Sequence, residues 1–189
     1  MTLPGESAGA RCFIALLPDA ASCRQLQRYR ENLAGAMGGA ERSVRWVEPP
    51  ALHLTLRFLG ASHPAQIEHF KHALLTLATA LPPIAARRHG IWPNRARPRL
   101  LVLELEPHAA LSLLARECEA HARSAGFAPE ARDFRAHVTL ARLRPGCAFA
   151  TLPRATDSIR FEAIALMQSK LAHSGASYTP LARVALSGV

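Results

Sequence analysis

Two short segments carry the residues best suited to chemistry: His53-Leu54-Thr55-Leu56 and His137-Val138-Thr139-Leu140. In each, a His and a Thr stand two apart and an apolar residue follows each of them. Side chains along a strand repeat their direction every two residues, so the His and the Thr share one face and the apolar pair takes the other. Each segment therefore offers an apolar side to a core and an imidazole with a hydroxyl to the opposite side. One His-x-Thr alone is commonplace, a half-buried His beside a surface Thr. Two of them in equivalent strands ask for a joint role. Two imidazoles and two hydroxyls around one small anion suit the opening of a cyclic phosphodiester. The attacking water needs a base, the departing ribose oxygen needs an acid on the far side of phosphorus, and an imidazole titrating near about pH 6.5 serves either purpose. The Thr hydroxyls can donate to non-bridging oxygens as charge develops. This scheme calls for no cofactor and no metal. Spacing alone leaves open which histidine is the acid.

The elements that must position these motifs repeat. Cys12–Leu17 reads as a buried strand, Ala20 to about Met37 as a helix with Leu26, Tyr29 and Leu33 on one side, and Leu52–Leu59 as the strand of the first motif, closed by Gly60. The order returns with a strand at Leu100–Leu105, a helix from His108 to about Ala125 stopped by Gly126, and the second motif strand at Phe134–Leu143. Around these lie an extended piece at Ser43–Val47, a helix from Gln66 to about Ala80 and a strand at Ile84–Ile91. A loop at Trp92–Pro98 and closing strands at Phe161–Lys170 and Leu181–Leu186 complete the chain. Residues 1–10, rich in Gly, Pro and Ser, read as a flexible tail, and 11–189 as a single domain of two related lobes.

Composition bounds the partner. The chain has 189 residues, 49% of them hydrophobic, enough for one domain with a real core. The formal net charge is +9, and Lys occurs only at Lys71 and Lys170, so the positive charge is nearly all Arg. Arg presents a planar fork that matches phosphate, and a basic balance favours a polyanionic partner. Four cysteines without C-x-x-C spacing read as reduced thiols of a cytoplasmic protein rather than as a zinc site or disulfide framework. No signal pattern or apolar run of spanning length appears, so no membrane association is expected, and a soluble monomer is the simplest form.

The motifs also carry a resemblance. Arg11-Cys12-Phe13-Ile14-Ala15-Leu16-Leu17-Pro18, Arg45-Trp46-Val47 leading into Leu52-His53-Leu54-Thr55-Leu56-Arg57-Phe58-Leu59-Gly60, and Pro98-Arg99-Leu100-Leu101-Val102-Leu103 are similar to the two-histidine (2H) phosphoesterase superfamily. So are Phe134-Arg135-Ala136-His137-Val138-Thr139-Leu140-Ala141-Arg142 and Tyr178-Thr179-Pro180-Leu181. Within the superfamily the chain looks most like the RNA 2′,3′-cyclic phosphodiesterases, also called 2′-5′ RNA ligases. Ala136 stands where that family often has Pro. The resemblance implies an α+β bilobed fold: two pseudo-symmetric antiparallel sheets lining a central cleft, with helices outside. It implies hydrolysis of a terminal RNA 2′,3′-cyclic phosphate to a 2′-phosphate, with His53 as proton donor and His137 as proton acceptor. Thr55 and Thr139 would hold the phosphate, and Arg142 takes the family's basic position beside it.

Other residues are weaker candidates. Trp92 sits among Arg95, Arg97 and Arg99, a combination suited to single-stranded RNA. Phe13, on the strand next to the motifs, is a further candidate RNA contact. Trp46 and Phe58 could stack bases, but a core role fits them better. His63, His69 and His72 cluster without the carboxylates of a familiar metal motif, and His89, His108, His121 and His173 read as surface residues. Two alternatives to the cyclic-end reading stay open: a phosphodiesterase for small cyclic phosphates or another RNA end, and a non-catalytic RNA-binding module.

Overall fold

The computed structural model describes residues 9–35, 43–144, 147, 151–172 and 175–187. Most of the expected N-terminal tail, and His173, lie outside these residues. The elements run β1 (Ala10–Pro18), α1 (Ala20–Gly35), β2 (Val44–Trp46), a 3-10 turn at Pro49–Ala51, β3 (Leu54–Ser62), α2 (Pro64–Leu77), β4 (Ile84–Asn94), β5 (Arg97–Leu105), α3 (Ala109–Ser124), β6 (His137–Leu143), β7 (Ser158–Ile159), β8 (Phe161–Ala172) and β9 (Gly175–Ala185).

Antiparallel pairing gives the order β7-β4-β5-β6-β3-β1-β8-β9, with β2 also on β6. That order reads alike from both ends. β1 lies between β3 and β8 with β9 outside; β5 lies between β6 and β4 with β7 outside. The two halves are the expected pseudo-symmetric lobes. They join into one nine-stranded sheet at the β3–β6 seam, where a single pair of Cα partners, Leu54↔Val138, forms the contact.

Two of the helices, α1 and α3, reach across to the other half. α1 follows β1 of the first lobe, yet Tyr29 donates to Asp157 Oδ2 at 2.7 Å and packs edge-on to the His89 ring of the second lobe. α3 follows β5 of the second lobe, yet Glu119 meets Arg57 of β3 at 2.5 Å. Through these contacts α1 and α3 reach the opposite half while α2 packs on β8 and β9 of its own, and the lobes share one core holding Leu26, Leu33, Leu54, Leu111, Val138 and Leu140. Local signals account for the helix ends. Asp19 accepts from the Ser22 N–H at 2.7 Å as an N-cap, and Pro64 opens α2 where no N–H is needed. Gly126, at φ +84°, follows α3, where the Phe127 N–H returns to Ala122 O at 3.0 Å.

Several boundaries differ from the sequence reading: β6 starts at His137 rather than Phe134, β9 starts already at Gly175, and β7 has no counterpart in it. Two further differences have a clear physical reason. Trp92–Pro98 is not a loop. β4 and β5 form a hairpin turned at Arg95–Ala96, with Asn94 paired to Arg97 and Pro93 facing Pro98. Each Pro read singly argues against a strand, but here the two missing donors meet at one rung of the ladder. Gly60 does not close β3 either. Its φ of +74° lies at a bulge, after which the strand continues to Ser62.

Candidate functional site

Both motifs sit at strand starts. His53 immediately precedes β3 and His137 is the first residue of β6. Because Leu54 and Val138 are antiparallel partners, the residues on either side of them share the opposite face. His53, Thr55, His137 and Thr139 therefore surround the Leu54–Val138 pair on one side of the sheet. Leu54 and Val138 are themselves fully buried on the other side, and the four polar residues are half-buried.

The two imidazoles are held alike. His53 Nδ1 lies 2.7 Å from Ala51 O, and His137 Nδ1 lies 2.7 Å from Arg135 O, each two residues upstream. A carbonyl only accepts, so Nδ1 carries the proton in both rings and Nε2 is left for exchange with a substrate. Burial pushes both histidines below the ordinary imidazole range. The neighbouring His137 and Arg142 charges lower His53 further, and Arg135 lowers His137 while Glu104 opposes it.

The surroundings of the two rings differ. Phe13 lies beneath His53 at 4.9 Å between centroids, and Tyr178 of β9 stands edge-on to it at 5.1 Å. Tyr178 Oη accepts from an Arg142 guanidinium N–H at 3.1 Å, which brings Arg142, otherwise exposed, toward the His53 side of the site. Phe13 is only 2% exposed, so it supports His53 and cannot offer a face to a base, contrary to the expectation of an RNA contact. Phe58 shows the reverse. Expected in the core, it is 53% exposed, because the irregular β1–β3 register pairs it with Phe13 on the cleft side and turns Arg57 inward. His137 packs against the Trp92 ring at 4.4 Å, and Arg135 Cζ lies 4.0 Å from the centroid of the same indole.

A cleft of about 860 Å³ opens beside Thr55 and His137, bounded by Phe58, Trp92, Ser112 and Arg116. Arg95 and Arg97 stand at the hairpin tip and do not line it. His89, expected at the surface, is 5% exposed and held by Pro153 O at 2.8 Å; its Cα partner is the core residue Leu103, which puts it on the inward face. Sequence reasoning passed over Glu104. This carboxylate is 7% exposed, directly opposite His137 in the β5–β6 register. Its signal was available: one acid within the apolar run Leu100-Leu101-Val102-Leu103-Glu104-Leu105. Among the described residues no group of three or more His, Cys, Asp or Glu is arranged to hold a metal ion, and no helix is long and apolar enough to cross a membrane.

Known proteins resemble this chain over most of its length. The chain is 30% identical over 170 residues to the RNA 2′,3′-cyclic phosphodiesterase of Aeropyrum pernix, covering 85% of this chain and 94% of that one. Its fold is similar to TT0787 of Thermus thermophilus, with a TM-score of 0.77 and 26% identity over 94% of this chain and 98% of that one. It is similar also to E. coli LigT solved with 3′-AMP, with a TM-score of 0.69 and 27% identity over 94% and 98% of the two chains. The family described as LigT like Phosphoesterase matches twice, over residues 17–102 and 103–178, one match for each His-x-Thr motif. The chain belongs to the LigT-like phosphoesterase family.

Proposed function

We propose that this chain opens 2′,3′-cyclic phosphates on RNA ends to 2′-phosphates, with His53 and His137 as acid and base. The observation that carries the reading is the constellation of two imidazoles and two threonines around the Leu54–Val138 pair. Water attacks phosphorus as His137 Nε2 takes its proton, the bond from phosphorus to the 3′ oxygen breaks, and His53 Nε2–H supplies the proton that makes a 3′-hydroxyl. Thr55 and Thr139 donate to the non-bridging oxygens, and Arg142, held on Tyr178, balances their charge. Both proton transfers are assigned to imidazoles, so the step needs no metal.

RNA is favoured over a small cyclic phosphate by the +9 net charge and by a cleft far larger than one phosphate group. The name of the Aeropyrum relative and the 3′-AMP held by E. coli LigT support a nucleotide end. A 5′-hydroxyl in place of water would run the same proton transfers toward a 2′-5′ linkage, so reversible ligation belongs to the same reading. The test is an oligonucleotide ending in a 2′,3′-cyclic phosphate, incubated with enzyme and chelator, with the product phosphate mapped. A 2′-phosphate is expected. No ring opening, or an absolute need for added metal, would refute the proposal. RNA binding without turnover on any cyclic end would instead mark a binding module.

A further inference from the structure

Glu104 is the buried acid that the proposed chemistry does not use. Its Oε1 accepts from Trp92 Nε1 at 2.8 Å and from an Arg135 guanidinium N–H at 3.3 Å, and its Oε2 accepts from Arg88 Nε at 2.9 Å. These contacts converge on His137. The Trp92 ring packs on the imidazole, and Arg135, stacked over Trp92, is also the residue whose carbonyl accepts the hydrogen bond from Nδ1–H. Gly90 makes the reach possible. It lies on β4 opposite Val102, and a Cβ there would meet Glu104 Oε1 at 2.8 Å and Trp92 Nε1 at 3.3 Å. The indole therefore crosses the sheet over a residue with no side chain.

We propose that Glu104 is a positioning residue for His137, acting through Trp92 and Arg135. The inference rests on the reading of His137 as the general base. Glu104 clamps the indole that orients the imidazole, and its charge offsets Arg135 beside that ring. The other charged groups near His137 are His53 across the seam and Arg142 further along β6. On the α3 side the cleft carries Arg116, Glu119, Asp133 and the Glu130–Arg132 ion pair. Of the carboxylates among these, Glu104 is the one paired with His137 in the sheet register and joined to both residues that touch it.

The test titrates the His137 ring by NMR in substrate-free protein, assigned by its loss in H137Q, and follows kcat/KM against pH on a cyclic-ended oligonucleotide. E104Q keeps volume and an acceptor for Trp92 but removes the charge. The His137 midpoint is expected to move to lower pH, because Arg135 is then unopposed, and the acid limb of kcat/KM is expected to move with it. Activity near neutrality is expected to fall about 10-fold. G90A retains the charge while pushing the carboxylate off the indole. It is expected to lower kcat/KM with the His137 midpoint closer to wild type than in E104Q. An unmoved midpoint in E104Q, with activity lost equally at every pH, would make Glu104 merely structural and overturn the proposal. Wild-type kcat/KM in G90A would overturn the role of the indole clamp. The titration needs no substrate, so a wild-type protein that opens no cyclic phosphate, but whose His137 midpoint still moves in E104Q, refutes the proposed activity and leaves the Glu104–His137 relation standing.

Discussion

Leu54 and Val138 are the one pair of Cα partners through which β3 and β6 meet, and each directly follows a motif histidine. The seam between the lobes and the alignment of the two imidazoles are thus one structural fact. Beyond this rung β6 hands its edge to β2, which takes Ala141, Arg142 and Leu143. A single rung has little hydrogen-bonding redundancy. The lobes keep their angle through packing beneath it, where Leu54 and Val138 are fully buried and the crossed helices α1 and α3 close the core.

Leu54→Ala should therefore damage the site out of proportion to its distance from any polar group. Deleting a fully buried leucine costs about 2–5 kcal/mol. Here the cavity opens directly under the motifs. The expected result is a lower midpoint in urea denaturation together with a loss of kcat/KM that persists where the variant is still fully folded. Loss of stability with wild-type kcat/KM in the folded fraction would show that the seam does not align the histidines.

His53→Ala and His137→Ala should each abolish turnover while leaving affinity for RNA largely intact. General acid and general base contributions are about 10² to 10⁴-fold each. Neither histidine holds the fold together, because each side-chain hydrogen bond is to a carbonyl two residues away in its own segment. Single-turnover assays beside equilibrium binding separate the two effects. Retained turnover in either variant would remove that histidine from the proposed mechanism.

The pH profile should depend on whether substrate is bound. Burial lowers both imidazoles below their ordinary value in the free protein, and His53 is lowered further by His137 and Arg142. The bell of kcat/KM, which reports the free enzyme, should therefore centre below about pH 6.5. A bound anionic phosphate favours the charged imidazole, so the alkaline limb of kcat should lie at higher pH than that of kcat/KM. Coincident limbs for kcat and kcat/KM would contradict this account.

Much of the site is legible in the sequence because it is written in periodicity. The His-x-Thr spacing, the apolar alternation and the repeated strand–helix–strand order require only that strands have a period of two. What escapes depends on contacts between distant segments. Phe58 reads as core because the bulge that turns Arg57 inward cannot be seen in one strand alone. Phe13 reads as a stacking surface because its burial needs the ring of Tyr178, far along the chain on β9, and those of Phe58 and His53 around it. Trp92–Pro98 reads as a loop because the pairing of Pro93 with Pro98 is a property of two strands together. The helix crossover is likewise invisible, since an apolar stripe does not say which lobe it will cover.

His89 gives a stability prediction independent of activity. It is almost fully buried, its Nδ1–H donates to Pro153 O, and its Nε2 has no hydrogen-bond partner among the described residues. Burial lowers its folded-state value below that of the unfolded chain, as it does for His53 and His137. The unfolded chain then binds protons at a pH where the folded chain does not. Stability from these groups is full well above about pH 6.5 and declines as pH falls through that value toward their folded-state values. Glu104 and Glu130 are lowered too, but their contribution is lost only as pH falls through and below the ordinary carboxylate range, beneath the histidine window. Urea denaturation should show stability falling between about pH 7.5 and about pH 5.5, and His89→Gln should flatten part of that slope. The Gln amide can still donate to Pro153 O but binds no proton, so the comparison isolates the titration. An equally steep slope in the variant would place the acid sensitivity with His53 and His137 instead.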